Sequence, residues 1–548
     1  MDAPTVSGVI DPKTIKIGAP PSTEVDPENL PVNHDHAAAL ETRLSAIDEP
    51  VVLTSEGQTG GPLVLTSKAN SVENPVYSSW LVDLVEDRSN RFFAVMQSSG
   101  NPRAYALDGK EMRGRVSMAL RKNGKRPTQK EVNDVIDELH GEAEATAVKA
   151  DVSNRVAQLP DGTRVIALHD EANTHVYIQP GEVKLVTERS KALFCRSTTA
   201  QAMTVTAAHG DYRLLKKYLN LDAESFLLFI GWVTYTLAHA KQVGNVFVIL
   251  YLIGGQGSGK SVASKIAIRL VDPNVVGVER LPKQPKDLGI AAQNTHLLAY
   301  DNLRSIKPEM SDTLCVLATG GSITTRRLYT NDEQHVTHLL SALLLNGIYS
   351  FVDQPDLAQR CLPLRMYSMD ESQRKSEAQM WNEFEADLPV IQRGLFDLIS
   401  QILIYLPTAE VTTPQRMYSF VQWLAAMETV QGIPAGIYQE SYAAVLNEGQ
   451  LDSIRDSVLG SAVLDFAKQL KDGTWSGTPQ ELLNDLNTFM AFGFQRPPRG
   501  WPDNPIALSK RLSPLEAALR TQGVVIRSER KKERQLTITT KDIQNEKY

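Results

Sequence analysis

Cysteine is scarce: the 548-residue chain has three, Cys195, Cys315 and Cys361, far apart and without CxxC spacing. Such a pattern offers neither a structural zinc site nor a disulfide framework, and it points to a reducing compartment. An excess of positive charge is also missing. The net charge is −7, so any nucleic-acid surface must be a local patch. No basic-plus-apolar leader opens the sequence. The most apolar stretch, residues 226–252, is interrupted by His239 and Lys241, leaving two pieces too short to cross a bilayer. These absences set the expectation of a cytoplasmic protein with no membrane association. With 42% apolar and 22% charged residues the composition is ordinary for a globular protein, and the length asks for several domains.

What is present is a phosphate-binding pattern. Residues 245–253 form a continuous apolar run rich in β-branched residues, as a strand buried on both faces of a parallel sheet requires. Gly254-Gly255-Gln256-Gly257-Ser258-Gly259-Lys260-Ser261 follows directly, and Val262, Ile266 and Leu270 then recur at helical spacing. In this strand–loop–helix context glycines let backbone N–H groups curl around phosphates, and the helix N-terminus adds positive potential. Lys260 suits β- and γ-phosphate oxygens and the Ser261 hydroxyl suits Mg²⁺, so ATP and Mg²⁺ are the expected cofactors. A second metal-side acid is needed on a neighbouring strand. Residues 296–301 make a short apolar strand ending at Asp301, the candidate for that role. A third apolar strand, residues 339–345, leads to Asn346, which would orient the attacking water or simply turn the chain before Gly347. Arg360, closing Asp356-Leu357-Ala358-Gln359-Arg360, is a candidate arginine finger acting from a neighbouring subunit, with a surface ion pair as the alternative.

The ordered set resembles an AAA+ ATPase, and more narrowly a superfamily 3 helicase of the phage, plasmid and poxvirus primase–helicase type. The residues that carry the resemblance are the glycine loop, Leu297-Leu298-Ala299-Tyr300-Asp301-Asn302, the segment from Ala318 to Tyr329, Leu343-Leu344-Leu345-Asn346 and the Arg360 motif. It covers about residues 210–400. It implies a homo-hexameric ring that moves 3′→5′ along single-stranded DNA held in its pore, serving replication of a mobile element. A separate primase or other replication proteins would be partners, since no primase motif is visible in residues 49–200. In that family the middle segment forms a hairpin facing the pore. Arg326, Arg327 and Tyr329 there combine two cations and an aromatic, which suits backbone phosphates and base stacking. Adjacent strand residues face opposite ways, so both arginines cannot point into the pore. Asn302 departs from the family, which commonly has a second acid there. An amide cannot take a proton, so the hydrolytic base is open among Glu279, Asp287 and Glu309. With slow turnover the chain would be an ATP-switched DNA-binding initiator, and without DNA binding a remodelling or defence ATPase acting on protein.

Domain expectations follow. Residues 1–48, rich in Pro, Asp, Glu and Thr, read as a flexible tail containing His34-Asp35-His36 with no further metal ligand nearby. Residues 49–205 read as an N-terminal α/β accessory domain with a long polar helix at 128–147. Its basic stretch from Arg113 to Arg126 is either a phosphate contact or a solvated face. Residues 206–370 are the AAA+ core with preceding helices over 211–240, and 371–450 a helical lid-like region. Residues 451–548 read as a winged-helix-like module, with capping boxes at Thr478 and Ser513 starting its second and third helices. From Arg496 onward twelve Lys or Arg stand against six Asp or Glu, and Lys510, Arg511, Lys531 and Lys532 are candidate DNA-phosphate contacts.

Overall fold

The computed structural model describes residues 81–540 apart from 98–99, 122–124, 206, 327–333, 349–351, 353, 368–375, 471, 492–496, 499 and 531–533. The expected tail, with His34 and His36, lies outside the described residues.

Strands β1 (Leu81–Glu86), β2 (Phe92–Met96) and β3 (Arg103–Ala106) form an antiparallel meander. Helices α1 (Lys110–Ala119) and α2 (Gln129–Thr146) follow, and β4 (Val148–Lys149) joins β1 in parallel, giving the order β3-β2-β1-β4. The polar helix starts where the sequence suggests, because Thr128 and Glu131 form a reciprocal capping box. Its apolar side, Val132, Ile136 and Leu139, packs with Leu84, Ala94 and Met112. Two members of the basic stretch are engaged within the protein. Arg113 donates to Asn133 Oδ1 and Arg115 to the Tyr105 hydroxyl, each at 2.6 Å.

A second antiparallel sheet follows β5 (Val152–Ser153). It comprises β6 (Val156–Gln158), β7 (Arg164–Ala167), β8 (His175–Gln179) and β9 (Glu182–Val186) in sequential order, while β10 (Leu193–Phe194) pairs with β5. Val156, Ile166, Val176 and Ile178 of this sheet belong to the same apolar core as the helices that come after residue 205. The core therefore runs across that expected boundary.

Over 211–240 the chain forms two helical pieces. Residues Tyr212–Lys217 make a 3₁₀ turn, and α3 (Ala223–Ala238) starts at Asp222, whose side chain accepts from Ser225 N at 2.8 Å. Just before the 3₁₀ turn, Gly210 runs so close to a later helix that a Cβ on it would lie 2.0 Å from Gly394 N. Next come β11 (Ile249–Gly254), α4 (Lys260–Val271), α5 (Pro285–Asn294), β12 (Leu297–Leu303) and α6 (Pro308–Thr319). The antiparallel hairpin of β13 (Gly321–Arg326) and β14 (Gln334–Leu339), then β15 (Ala342–Gly347), α7 (Pro355–Ala358) and β16 (Cys361–Met366), complete this region. Four strands form a parallel sheet in the order β12-β15-β11-β16. β11 and β15 are buried along their whole length, as their continuous apolar sequence demands. The strand before the glycine loop begins at Ile249 and not at 245, since Phe247 N donates instead to Ala318 O at 2.7 Å. The run 339–345 is likewise divided: Leu339 ends β14, and Ser341 turns the chain by donating from its N–H to Leu317 O at 2.8 Å.

Helices α8 (Glu377–Tyr405), α9 (Tyr418–Gln431) and α10 (Ile437–Asp456) pack with α3 and the sheet around Trp232, Tyr235, Phe420 and Trp423. The remaining chain has a separate apolar core. It contains α11 (Val458–Lys468), β17 (Thr474–Gly477), α12 (Pro479–Phe489), α13 (Pro505–Leu512), α14 (Glu516–Thr521), β18 (Val524–Arg530) and β19 (Arg534–Thr540), with sheet order β17-β19-β18. The capping box at Thr478 forms. The one expected at Ser513 does not, because Ser513 itself is helical at φ −55° and ψ −43°. The helix starts earlier, where Asn504 accepts from Ala507 N at 2.8 Å. Among the described residues no helix is long and apolar enough to cross a membrane.

Four histidines are buried among the described residues, His169, His175, His239 and His296. His175 meets Ser190 Oγ at 2.6 Å, His239 the Tyr235 carbonyl at 2.7 Å and His296 the Thr236 carbonyl at 3.0 Å. Burial pushes His175 and His239 down to about 3 and His296 to about 4. The unfolded chain protonates them near 6.5, so between pH 6.5 and 4 it binds more protons than the fold. Stability is therefore full above pH 6.5 and is lost as pH falls, at about 1.4 kcal/mol per histidine per pH unit. Urea unfolding of the full chain across that window should show this slope, reduced by one histidine's share in His296→Gln. An unchanged slope in the variant would contradict the assignment.

Candidate phosphate-binding site

The glycine loop joins the C-terminal end of β11 to the N-terminus of α4. Gly257 and Gly259 take φ of 77° and 88°, conformations that a side chain resists. Gly254 is required for another reason: a Cβ there would lie 2.2 Å from Met366 O on β16. The Lys260 ammonium donates to Gly254 O at 2.7 Å, Gly255 O at 2.8 Å and Ser258 Oγ at 3.2 Å, so the lysine lies folded along its own loop. Partial burial pulls it below the usual lysine value, and the nearby Asp301 carboxylate opposes that shift.

Ser261, at the start of α4, donates to Asp301 Oδ2 at 3.1 Å. Adjacent oxygens on an octahedral ion with bonds of about 2.1 Å lie about 3.0 Å apart. The pair therefore fits two neighbouring positions of a Mg²⁺ shell, with water and phosphate completing it. Among the described residues no cluster of three or more His, Cys, Asp or Glu could hold a metal alone.

The strand carrying Asp301 continues to Leu303 with a register shift after Tyr300, and Asn302 sits in the left-handed region at φ 59°. Asn tolerates that conformation better than Glu does. The backbone thus supplies a reason for an amide here that is independent of proton transfer. The Asn302 N–H donates to Asn346 Oδ1 at 3.2 Å, and Asn346 Nδ2 donates to Ser264 Oγ at 2.8 Å. Ser264 Oγ in turn donates to Lys260 O at 2.9 Å. Asn346 is fully buried, with its oxygen and one N–H already engaged. It links the ends of β12 and β15 to the first turn of the loop helix.

Of the three candidate bases, Glu279 runs beside β12, its N–H on Ala299 O and its carbonyl taking the Asp301 N–H at 2.8 Å. Its register partner is Tyr300, whose hydroxyl is raised by burial and by the Glu279 charge. That ring packs in the core on the α5–α6 side. Glu279 therefore shares the Tyr300 face of the sheet and not that of Asp301. Asp287 and Glu309 lie in the first turns of α5 and α6. No hydrogen bond among the described residues joins any of the three side chains to the Ser261–Asp301 pair.

Arg360 precedes β16 at the opposite end of the sheet from the loop, as the register Ile249↔Cys361 through Gly254↔Met366 requires. Roughly 20 Å of strand separates them, so Arg360 cannot reach its own subunit's phosphates. It is 8% exposed, and its Nη1 contacts the Asp356 carbonyl and carboxylate at 2.6 Å each. The more exposed Arg416 shares that carboxylate at 2.8 Å. Of the expected DNA contacts, Arg326 ends β13 opposite Gln334, while Arg327, Tyr329, Lys531 and Lys532 lie outside the described residues. Lys510 and Arg511 are exposed in the last turn of α13, Arg511 donating to Gly500 O.

Two residues of the site have no part in the expected set. Ser264 carries a faint signal, a hydroxyl one helical turn beyond Lys260. Asn220 carries none: its Nδ2 donates to Ser258 O at 3.3 Å and to Tyr367 O, partners far away in sequence.

Residues 213–452 match the model of the actinomycete integrative conjugative element (AICE) replication protein, and residues 459–546 that of the AICE RepA C-terminal domain. The two together span well over half of the chain. The chain belongs to the AICE RepA replication proteins. The first match takes in the glycine loop, Asp301, Asn346 and Arg360, and the second takes in the module built from α11 to β19. No curated protein matches by sequence. Among solved structures, the SCCmec type IV Cch active helicase is 10% identical with TM-score 0.42, covering 88% of this chain and 98% of that one. The apo NrS-1 C-terminal region is 11% identical with TM-score 0.36, covering 84% and 96%. At such scores the likeness is too loose to carry functional weight for this family member.

Replacing Asn302 tests the left-handed turn. Asn302→Gly should keep the melting temperature, whereas Asn302→Val should lower stability by about 1–2 kcal/mol. Equal melting of the two variants in thermal denaturation would contradict that backbone role.

Proposed function

We propose that this replication protein is an ATP hydrolase that drives DNA strand separation. In this reading it is a homo-hexameric ring, resembling superfamily 3 helicases, that moves 3′→5′ on single-stranded DNA in the cytoplasm. The observation that carries the reading is the Ser261–Asp301 contact across the ends of α4 and β12, directly beside the glycine loop. Incoming β- and γ-phosphates would take over the Lys260 donors now held by loop carbonyls. Mg²⁺, held by Ser261 and Asp301, would neutralise charge on those oxygens. Asn346 would report phosphate occupancy through Asn302 and Ser264, its remaining N–H serving the attacking water. Arg360 would act in trans, since the sheet separates it from its own loop. Its release from Asp356 would be a subunit-contact event, and Arg416 would take over the carboxylate.

The β13–β14 hairpin, whose last pair before the connecting segment is Arg326 opposite Gln334, supports a DNA-facing element, with Arg326, Arg327 and Tyr329 as its proposed contacts. The C-terminal order helix, strand, three helices and two strands, with β19 between β17 and β18, supports a winged helix. Lys510 and Arg511, with Lys531 and Lys532 between the last two strands, would contact backbone phosphates there. The first two sheets would form the accessory region, and α8 to α10 the lid-like helices.

One observation favours a second reading. Asn302 supplies no base, and a protein with slow turnover would use ATP to assemble on DNA rather than to move. ATPase rates with and without single-stranded DNA separate the two, because a motor is stimulated by its track. We expect DNA-stimulated hydrolysis, ATP-dependent opening of a forked duplex, and loss of both in Lys260→Ala with its melting unchanged. Full unwinding by that variant would refute the proposal, and unstimulated hydrolysis would favour the switch.

A further inference from the structure

The sheet order fixes more than the phosphate end of the nucleotide. The groups suited to the metal and γ-phosphate, Asp301 and Asn346, stand on β12 and β15, both on one side of β11. A nucleotide whose terminal phosphate lies on that side runs its sugar and base out over the other side, where the only sheet neighbour of β11 is β16. The chain leaving β16 is pressed against the loop, since Gly254 has no room for a Cβ beside Met366 O.

The next residue is Tyr367, an aromatic that is 62% exposed. A tyrosine so exposed beside a buried strand contributes little to packing, but its ring has the shape and polarisability to stack on a base. The Tyr367 carbonyl accepts from Asn220 Nδ2, which also donates to Ser258 O in the glycine loop at 3.3 Å. One side-chain amide thus ties the loop, the end of β16 and the segment before α3 together. Its orientation is determined by chemistry: two carbonyl oxygens face the amide, so the nitrogen must be on that side. Among the described residues no donor engages Oδ1, so it remains an acceptor beside the loop.

We propose that Tyr367 and Asn220 form the base subsite of this protein, with the Tyr367 ring stacking on a purine and Asn220 Oδ1 selecting a 6-amino group. Adenine offers an N–H donor at position 6, whereas guanine and hypoxanthine offer a carbonyl oxygen that would oppose Oδ1. The assignment rests on the nucleotide reading of the glycine loop and adds the base to it.

Calorimetric titration of the full chain with ATP, ITP and inorganic tripolyphosphate tests the assignment. Wild type should bind ATP at least about ten-fold tighter than ITP, which differs from it at position 6. Tyr367→Ala should weaken ATP and ITP alike by about ten-fold, the scale of one lost base–aromatic stack, and leave tripolyphosphate unchanged. Tyr367→Phe, which keeps the ring, should behave as wild type. Equal binding of ATP and ITP by wild type would overturn the role of Asn220, and undiminished ATP binding by Tyr367→Ala the role of the ring. Loss of tripolyphosphate binding in Tyr367→Ala would also overturn the proposal, by showing a structural effect on the loop. Failure of the underlying nucleotide reading looks different: wild type would bind neither tripolyphosphate nor ATP.

Discussion

Everything at the phosphate end of the sheet depends on a clamp at the other end, the buried pair of Arg155 and Asp272. The Arg155 side chain is wholly buried, and its Nε donates to Asp272 Oδ1 at 2.9 Å. Its other nitrogens donate to the carbonyls of Ala167 at 3.1 Å, Gln201 at 3.0 Å and Pro273 at 3.1 Å. The second carboxylate oxygen accepts from His296 N at 2.7 Å and Leu297 N at 3.3 Å. Asp272 closes helix α4, and His296 opens strand β12. One ion pair therefore joins the second N-terminal sheet, the end of the loop helix and the start of the strand that carries Asp301. A buried pair gains little over apolar packing, but removing one partner leaves an uncompensated charge and costs about 3–5 kcal/mol. With one end of α4 and β12 fixed together, Ser261 and Asp301 at their other ends are brought within hydrogen-bond reach.

A second constraint acts at the site itself. Asn302 in the left-handed conformation turns its N–H onto Asn346, and Asn346 passes the contact through Ser264 to the first turn of α4. In the proposed function, movement of Lys260 and its loop on phosphate binding would be coupled through these bonds to β12 and β15. The segment from α6 through the hairpin connects those two strands. Under the proposed function, a change at the phosphate would have a short covalent route to the hairpin.

The glycine loop was legible in the sequence because its chemistry is local: glycines, lysine and serine act within one strand–turn–helix. Thr478 was legible for the same reason, since a capping box closes within four residues. Ser513 looked identical but lies inside a helical turn that began at Asn504, and no local pattern distinguishes the two. What the sequence hid is long-range. Arg155 meets Asp272, Asn220 meets Tyr367, and the sheet that begins at Val156 joins the core of the helices beyond residue 205. The family match independently spans the segment where the motifs lie, while the residue roles rest on geometry.

Under the proposed function, copies of the chain with ATP bound form a ring around single-stranded DNA. Electron microscopy of the full chain with a slowly hydrolysed ATP analogue and single-stranded DNA tests it most directly. The account predicts a six-membered ring with the strand in its pore against the β13–β14 hairpins, and the Arg360 end of each sheet facing a neighbour's glycine loop. Single copies bound to DNA through another surface would contradict it.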